Sequence, residues 1–409
     1  MSGSAVVPEL AVFGAGFRPD SPDVAWARET HWYAKTPLFH VFGREIDAIT
    51  VLRYEDVKAL MDDARLDQAS GFFMASDLVL SGPLARWWQL LVLNRNGAVH
   101  ARLRRLIRAA ISIEAIEALR PAMRGAAEEL VDGIAERGSC DFTAAFAHAY
   151  PLAVWSEWLD VPYEMRGAFG AAILGIANVF SPDFKKLYRV TEDALRSGYE
   201  IADALIAQRR RRPGNDLVSA LLSVDLAGDR FSDEELRATI VGLPFADSSR
   251  YQLGNAVAEF VDHPDQWQML RARPALATRA VEEIMRVRPA IPSLLRLAVT
   301  RVDHRDLHVG FGTLVILLIA SANTDPRVYG NGGFDISVER GAPALSFGNG
   351  FHSCLGNRFA ALETAEALPV LARRLRTLVP AGTPTWLPGL TVAGPVTLPI
   401  SFDVEPKAS

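Results

Sequence analysis

Cysteine is nearly absent from this sequence, which contains only Cys140 and Cys354 among 409 residues. Two cysteines cannot build a disulfide framework if one of them binds a metal, so we expect a reducing compartment, by default the cytoplasm. Long apolar runs are missing as well. The most apolar later run, residues 312–322, is too short to cross a bilayer, and residues 1–20 lack the basic start of a secretion signal. The sequence therefore predicts a protein that is neither secreted nor membrane-anchored.

Excess positive charge, linkers and repeats are also lacking. The net charge of −5 argues against a general nucleic-acid binder, because phosphate recognition needs a clustered positive surface. No Ser-, Gly- or Pro-rich tract, charge block or internal repeat divides the chain. We therefore predict a single domain over residues 1–409, although this length would also allow two or three average domains.

Patterns typical of β-strands are scarce, whereas apolar residues at helical spacing dominate. The clearest helical segments are residues 54–63, 100–112, 121–137, 193–212, 232–262, 275–287 and 357–375. Strand patterns are limited to residues 37–52, 294–318 and 384–404. This distribution predicts a mainly α protein with a large helical body and a small β-rich flank.

The most informative segment is residues 347–356, in which three glycines frame Cys354. Glycine lets the backbone turn tightly and approach a flat ligand where any side chain would collide with it. The helical pattern that follows would place Cys354 at a helix start, where unpaired N–H groups favour the thiolate and lower the pKa of the thiol. A soft thiolate suits iron. We therefore predict a metal-bound Cys354, the alternative being an ordinary buried thiol in a glycine-rich turn.

This segment is similar to the haem-binding signature of the cytochrome P450 family, roughly Phe-Gly-x-Gly-x-His/Arg-x-Cys-x-Gly. The six fixed positions are matched by Phe347, Gly348, Gly350, His352, Cys354 and Gly356. The resemblance covers essentially the whole chain and implies the cytochrome P450 fold of the soluble bacterial type. It also implies haem b as the cofactor and Cys354 as the ligand of its iron. The cofactor-binding residues that it implies in this loop are Phe347, Gly348, His352, Cys354 and Gly356.

A second group of residues matches the family's partners for the haem propionates. His100 and Arg104 share one face of a predicted helix, four residues apart, so both can reach a pair of carboxylates. The resemblance implies that role for both, with Arg296 and His352 completing the set.

Glu283 and Arg286 form a third match. They lie three residues apart on a predicted helix, so the carboxylate and the guanidinium can meet. Alone, a Glu/Arg pair at this spacing is typical of an ordinary surface ion pair. Together with the cysteine loop it resembles the family's Glu-x-x-Arg, which implies a buried structural pair supporting the haem-binding core, with Arg340 as a candidate third member.

Residues 244–249 depart from the family pattern, which reads roughly Ala-Gly-x-acid-Thr-Thr; here they are Pro-Phe-Ala-Asp-Ser-Ser. The resemblance implies that Asp247 and Ser248 are catalytic, because an acid and an alcohol can relay the protons that cleave dioxygen. Pro244 predicts a kink in the 232–262 helix, since proline lacks the N–H and clashes with the preceding turn.

Phe245 stands where the family usually has glycine, and two interpretations stay open. Its ring reshapes the substrate pocket and alters the chemistry, or it packs in the core and is turned away. We predict that Phe245, Ala246 and Phe180 belong to the substrate pocket. With Phe72 and Phe73 nearby in the same predicted lining, an apolar or aromatic ligand is indicated.

These features together predict a haem-thiolate monooxygenase that oxidises a small apolar or aromatic substrate, with natural-product biosynthesis as one setting. Electrons would come from a separate ferredoxin and ferredoxin reductase, because the chain has no flavin or iron–sulfur region. Arg102 and Arg105 either form a solvated basic face or help to dock that donor. Pro244 and Phe245 motivate an alternative of peroxide-driven oxidation, oxidative coupling or dehydration. A third possibility is a non-catalytic haem protein, and the family default is a monomer.

Overall fold

The computed structural model describes residues 7–13, 17–41, 44–69, 82–181, 183–330, 332–387 and 389–404. Phe72 and Phe73 lie outside these residues. The described residues form seventeen α-helices: α1 Pro22–Thr30, α2 Tyr54–Met61, α3 Pro83–Leu90, α4 Gly97–Ala110, α5 Ile113–Glu117, α6 Arg120–Ala135, α7 Ala149–Trp158, α8 Tyr163–Ile176, α9 Phe184–Arg211, α10 Leu217–Ser223, α11 Asp233–Ala246, α12 Ser249–Asp262, α13 Pro264–Ala272, α14 Ala277–Val287, α15 Ile319–Ala322, α16 Pro326–Tyr329 and α17 Asn357–Arg374.

The same part of the chain contains twelve short strands, grouped in four small sheets. They are β1 Tyr33–Val41, β2 Arg44–Val51, β3 Leu66–Gln68, β4 Ser139–Asp141, β5 Leu294–Ala298, β6 Val302–His304, β7 Leu307–Val309, β8 Leu314–Leu317, β9 Val379–Pro380, β10 Thr385–Trp386, β11 Pro395–Thr397 and β12 Pro399–Ser401.

The largest sheet joins distant parts of the chain in the order β1-β2-β8-β5-β3. Strand β2 pairs with β8 in parallel, and the other neighbouring strands pair antiparallel. All four residues of β8 are buried. Val315 and Leu317 enter one apolar cluster with α2, whereas Leu314 and Ile316 enter another, as the two-residue period of a strand requires. The β-rich flank predicted from the sequence is thereby confirmed.

The helical body surrounds one extended apolar core that runs from Leu84 to Phe402. Helix α17 crosses this core, and its residues Leu362, Ala367 and Leu371 are buried between α6, α13 and α14. Helix α11 packs against α8 and α9 on another side. The predicted mainly α architecture is confirmed. Within the described residues, no helix is both long and apolar enough to cross a membrane.

The segment predicted as one helix over 232–262 is two helices, so that prediction was wrong in its continuity. Helix α11 keeps Pro244 inside it and ends at Ala246, and α12 starts at Ser249. Asp247 between them has an extended backbone, with φ −72° and ψ 112°. Its carboxylate accepts the N–H of Ser249, the first residue of α12, at 2.8 Å. The expected kink at Pro244 is a full break three residues later.

Other element boundaries also differ from those predicted from the sequence. Helix α9 begins at Phe184 rather than at residue 193. The predicted strand of residues 37–52 is a pair, β1 and β2, that folds back on itself. The helix after the cysteine loop begins at Asn357, as predicted.

Candidate active site

The loop that carries Cys354 is a tight turn fixed by its glycines. Gly348 and Gly350 have φ of +69° and +64°, in the left-handed region that side-chain-bearing residues rarely adopt. A Cβ on Gly350 would also overlap the carboxylate of Asp62. The N–H of Cys354 donates to the carbonyl of Phe347 at 2.7 Å and closes the turn. The glycine spacing seen in the sequence therefore has a direct backbone cause.

Cys354 lies three residues before α17 and opens onto an internal cavity. Burial raises the pKa of its thiol above the ordinary value, and the charge of Asp247 adds to that rise. The N–H of Gly356 and the charge of Arg104 act in the opposite direction but do not outweigh burial. The lowered pKa expected from a helix start is therefore wrong for the free thiol. A metal cation bound to the sulfur would lower the pKa of the thiol, because metal coordination favours the thiolate.

The cavity beside Cys354 has a volume of about 330 Å³ and mainly apolar walls. Helix α4, the end of α11, the start of β5 and the first turn of α17 contribute to these walls. Gly348 and Gly356 also line the cavity and place no side chain in it. Apolar lining residues include Ile107, Leu243, Ala246, Leu294, Phe359 and Ala360. A flat apolar ligand bound through sulfur fits this lining.

Four basic side chains gather near this cavity: His100, Arg104, Arg296 and His352. The rings of His100 and His352 are in contact, with centroids 4.2 Å apart and planes tilted by 35°. Arg104 donates to the hydroxyl of Ser353 at 2.7 Å. Arg296 is 1% exposed and donates to the side-chain oxygen of Gln68. Within the described residues, none of the four has a carboxylate hydrogen-bond partner.

The electrostatics of this basic group favour an anionic ligand. Burial, and then the charges of His100, Arg296 and Arg104, lower the pKa of His352 to about 4. Burial likewise lowers the pKa of Arg296 to about 10. Buried cations without anionic partners are costly. A ligand that brings carboxylates to this edge of the cavity would relieve that cost.

The predicted Glu283 network is present. Arg286 donates to both oxygens of Glu283, at 2.8 and 2.7 Å, and the two side chains are 2% and 3% exposed. Arg340 donates to the same two oxygens at 3.2 and 2.5 Å. Arg286 also binds the carbonyl of Asn323 at 3.1 Å, and Asn323 accepts the N–H of Leu345 at 2.7 Å, two residues before the loop. The network therefore stabilises the segment that leads into the cysteine loop.

Asp247 and Ser248 line the same cavity as Cys354, so the break between α11 and α12 brings the predicted acid and alcohol to the predicted metal ligand. Each oxygen of Asp247 accepts a hydrogen bond, one from Ser249 N–H and one from Trp155 Nε1–H at 2.7 Å. Ala246, predicted for the substrate pocket, also lines the cavity.

Glu363 on α17 is an acid that the sequence interpretation missed. It is fully buried, and neither carboxyl oxygen makes a hydrogen bond of normal geometry, although Asp247 and Ser249 are close enough to act on it. Burial, and then the charge of Asp247, raise its pKa well above the ordinary value. The available signal was a carboxylate in the middle of the apolar face of a helix, four residues after Phe359.

Phe245 and Phe180 lie together in an aromatic cluster and not among the residues that line the cavity. Their rings stack at 5.5 Å, and Trp87 and Trp88 contact Phe245 at 4.9 and 6.1 Å. Phe245 is 3% exposed. The arrangement favours the packing interpretation of Phe245, with its neighbour Ala246 facing the cavity, and it corrects the placement of both phenylalanines in the pocket lining.

A cysteine in a glycine-framed turn, an apolar cavity beside it and an unpaired basic group at its edge define a haem-thiolate site. Comparison with known proteins agrees. The family description "Cytochrome P450" matches residues 252–399. Luteothin monooxygenase of Streptomyces thioluteus is 36% identical over 97% of this chain and 96% of its own length.

Two further similarities extend that agreement. Mycinamicin IV hydroxylase/epoxidase of Micromonospora griseorubida is 33% identical, covering 88% of this chain and 90% of its own. The structure of cytochrome P450 CYP109Q5 from Chondromyces apiculatus superimposes with a TM-score of 0.83 at 25% identity, over 98% of this chain and 100% of that one. The chain belongs to the cytochrome P450 family. It is a monooxygenase with haem b as its cofactor.

The residues present fit haem: Cys354 would hold its iron, the glycines would leave room for its plane, and the basic group would bind its propionates. Bound haem supplies reductive activation of O2 and transfer of one oxygen atom to a substrate.

We expect Arg104→Ala to release haem faster than the wild-type protein. One charge-assisted hydrogen bond contributes about 1.5–3 kcal/mol, so the dissociation rate should rise roughly 10- to 100-fold. Haem transfer to excess apomyoglobin measures that rate. Arg105→Ala is the matched control, because Arg105 is the adjacent arginine and is mostly exposed beside Asp229. Equal rates for the two variants would contradict a role for Arg104 in holding the propionates.

Proposed function

We propose that this monooxygenase oxidises a small apolar organic molecule, with electrons from a separate ferredoxin and ferredoxin reductase. The observation that carries the proposal is that Asp247 and Ser248 line the same apolar cavity as Cys354. The apolar walls would hold a substrate by excluding water and would leave few polar groups to fix its orientation. Thr239 and Gln252 are among the polar side chains in that lining.

Proton delivery is the task that this chain's own residues would perform. Burial favours the protonated form of Glu363, which thus holds a proton beside Asp247 and Ser249. Asp247 would pass protons toward the cavity, and the hydroxyl of Ser248 would donate to the reacting oxygen. Tyr150 donates to the backbone carbonyl of Glu363 at 2.9 Å and fixes this turn of α17.

The relatives support a setting in natural-product biosynthesis, because the names of several refer to the oxidation of luteothin, mycinamicin IV or nocardicin C. The apolar cavity supports an apolar substrate. We further propose a cytoplasmic monomer that folds as one domain. Both cysteines are free, as in a reducing compartment, and β2 pairs with β8 across the chain.

An acidic electron donor would dock near the cysteine loop. Phe351 is 73% exposed there, next to a groove that Arg105 and Arg108 help to line. Arg102 is already held by Asp229 and Glu235, at 2.7 and 2.6 Å. Of the two arginines considered from the sequence, Arg105 is therefore the better candidate for this contact.

A second candidate function is haem-thiolate chemistry of another outcome, such as peroxide-driven oxidation, oxidative coupling or dehydration. The break at Asp247 favours it, because the helix that carries Pro244 ends at Ala246 and the proposed acid lies between two helices. The packing of Phe245 away from the cavity removes one of the two sequence arguments for it.

Reconstitution tests the proposal. The haem-loaded protein is first titrated with luteothin, mycinamicin IV, simple aromatics and fatty acids while the Soret band is recorded. Compounds that shift the spin state are then incubated with NADPH, O2 and a surrogate ferredoxin and reductase. Oxygenated product that depends on NADPH supports the proposal. Product with peroxide alone would favour the second candidate, and haem binding without any turnover would contradict both.

Asp247→Asn should lower NADPH-driven product formation roughly 100-fold, the range expected for loss of a general acid–base group. The Soret shift on substrate binding should persist, because the amide keeps the size of the carboxylate. Asp262→Asn near the exposed end of α12 is the control. Undiminished product from Asp247→Asn would show that protons reach the cavity by another path.

A further inference from the structure

The carboxylate of Asp247 is bound on both oxygens by groups that only donate. Oδ1 accepts the backbone N–H of Ser249 at 2.8 Å, and Oδ2 accepts the indole Nε1–H of Trp155 at 2.7 Å. Neither donor has a lone pair that could take a proton from Asp247. Each oxygen has a second lone pair, so proton exchange at Asp247 is confined to the directions that these two donors leave open.

Trp155 is itself held firmly. It lies on α7 with 4% of its surface exposed. Its ring is 5.3 Å from that of Trp158, nearly parallel, and 4.8 Å from that of Phe359. Phe359 is on α17, five residues after Cys354, and all three rings line the cavity. The indole therefore links the helix that follows the cysteine loop to the segment that carries the acid.

We propose that Trp155 is a positioning residue that fixes the Asp247 carboxylate for proton delivery. The inference rests on the proposed role of Asp247. The backbone N–H of Asp247 donates to the carbonyl of Pro244 at 3.3 Å and leaves the carboxylate free to rotate, so the indole and the N–H of Ser249 restrain that rotation. An arginine or lysine at this position would add a positive charge. The indole of tryptophan orients the carboxylate through a neutral hydrogen bond and cannot accept a proton from it.

Trp155→Phe tests this proposal, because phenylalanine keeps an aromatic ring beside Trp158 and Phe359 but removes the N–H donor together with the five-membered ring. We expect the most effective compound of the titration panel still to shift the Soret band. Product per NADPH should fall about five- to tenfold, as for a displaced catalytic group. The missing electrons should appear as hydrogen peroxide.

Trp267→Phe is the matched control. Trp267 is 1% exposed, and its indole donates to the carbonyl of Leu375 at 2.9 Å, away from the cavity. Trp267→Phe therefore also removes an indole hydrogen bond and the five-membered ring, but it changes no contact of Asp247. Equal coupling of NADPH to product in the two variants would overturn the proposal.

A spectroscopic measurement needs no substrate. The protein has eight tryptophans, so ¹⁵N-indole labelling of the reduced, carbon monoxide-bound holoenzyme gives a short spectrum in which Trp155→Phe assigns the Trp155 signal. Asp247→Asn should shift that signal more than it shifts the signal of Trp267, because it replaces a charged acceptor. An unmoved Trp155 signal would also overturn the proposal. Failure of the wild-type enzyme to oxygenate any compound would count against the proposed function. The indole signal would still show whether Trp155 is hydrogen-bonded to Asp247.

Discussion

Cys354→Ser should reduce product formation to the level of an enzyme-free control. Serine is a poor ligand for haem iron, and the electron donation that favours cleavage of dioxygen comes from the thiolate. The Soret band of the reduced carbon monoxide complex should lose the red-shifted position that thiolate ligation gives. The cavity should persist, because serine fits the turn between Phe347 and Gly356.

Cys140→Ser provides the control for that experiment. Cys140 lies in β4, where it pairs with Ile400 of β12. Burial raises the pKa of its thiol to about 11, so it stays a protonated, inert group at neutral pH. Its variant should keep the wild-type spectrum. A thiolate spectrum that survives in Cys354→Ser and disappears in Cys140→Ser would reverse the assignment of the ligand.

Glu283→Gln should destabilise the protein by about 3–5 kcal/mol, because removing one partner of a buried ion pair leaves the other charge uncompensated. Here two guanidinium groups, of Arg286 and Arg340, lose their shared carboxylate. Chemical denaturation of the haem-free protein measures the loss. Asp193→Asn is the control, since Asp193 and Arg196 form a pair of the same spacing with each side chain about two-thirds exposed. Such a pair contributes at most about 1 kcal/mol, and equal losses would contradict the burial argument.

The pH dependence of that stability difference has a defined sign. Burial alone would raise the pKa of Glu283, but hydrogen bonds from Arg286 and Arg340 outweigh it and hold the pKa below the ordinary value. The stabilisation is therefore complete above the unfolded pKa of about 4.3 and disappears as the pH falls through the lower folded value. Wild-type protein and Glu283→Gln should converge in stability only in that acidic range.

The parts of the site that the sequence predicted are those in which local spacing determines the contact. Glu283 and Arg286 meet because they are three residues apart on a helix, and the cysteine turn follows from glycines at fixed positions. The helix that starts at Asn357 could be predicted for the same reason. Such features need no knowledge of the rest of the chain.

The parts that the sequence did not predict depend on contacts between distant segments. Trp155 and Asp247 are 92 residues apart, and no local pattern pairs them. The sequence predicted a kink at Pro244 and not the break at Asp247. A proline shows where a backbone N–H is lost, but it does not show where a side chain will bind the start of the next helix. The raised pKa of Cys354 also depends on burial by remote helices, which a helix-start argument leaves out.

The pairing of β2 with β8 has a consequence for how the protein is made. Residues 52–313 separate the two strands. Strand β2 therefore cannot pair with β8 until most of the chain has been synthesised. At typical bacterial elongation rates that delay is roughly 10–50 seconds. During it, the edge of β2 that later pairs with β8 is open to pairing with other nascent chains. Co-expression of a chaperone that binds nascent chains should therefore raise the yield of folded protein.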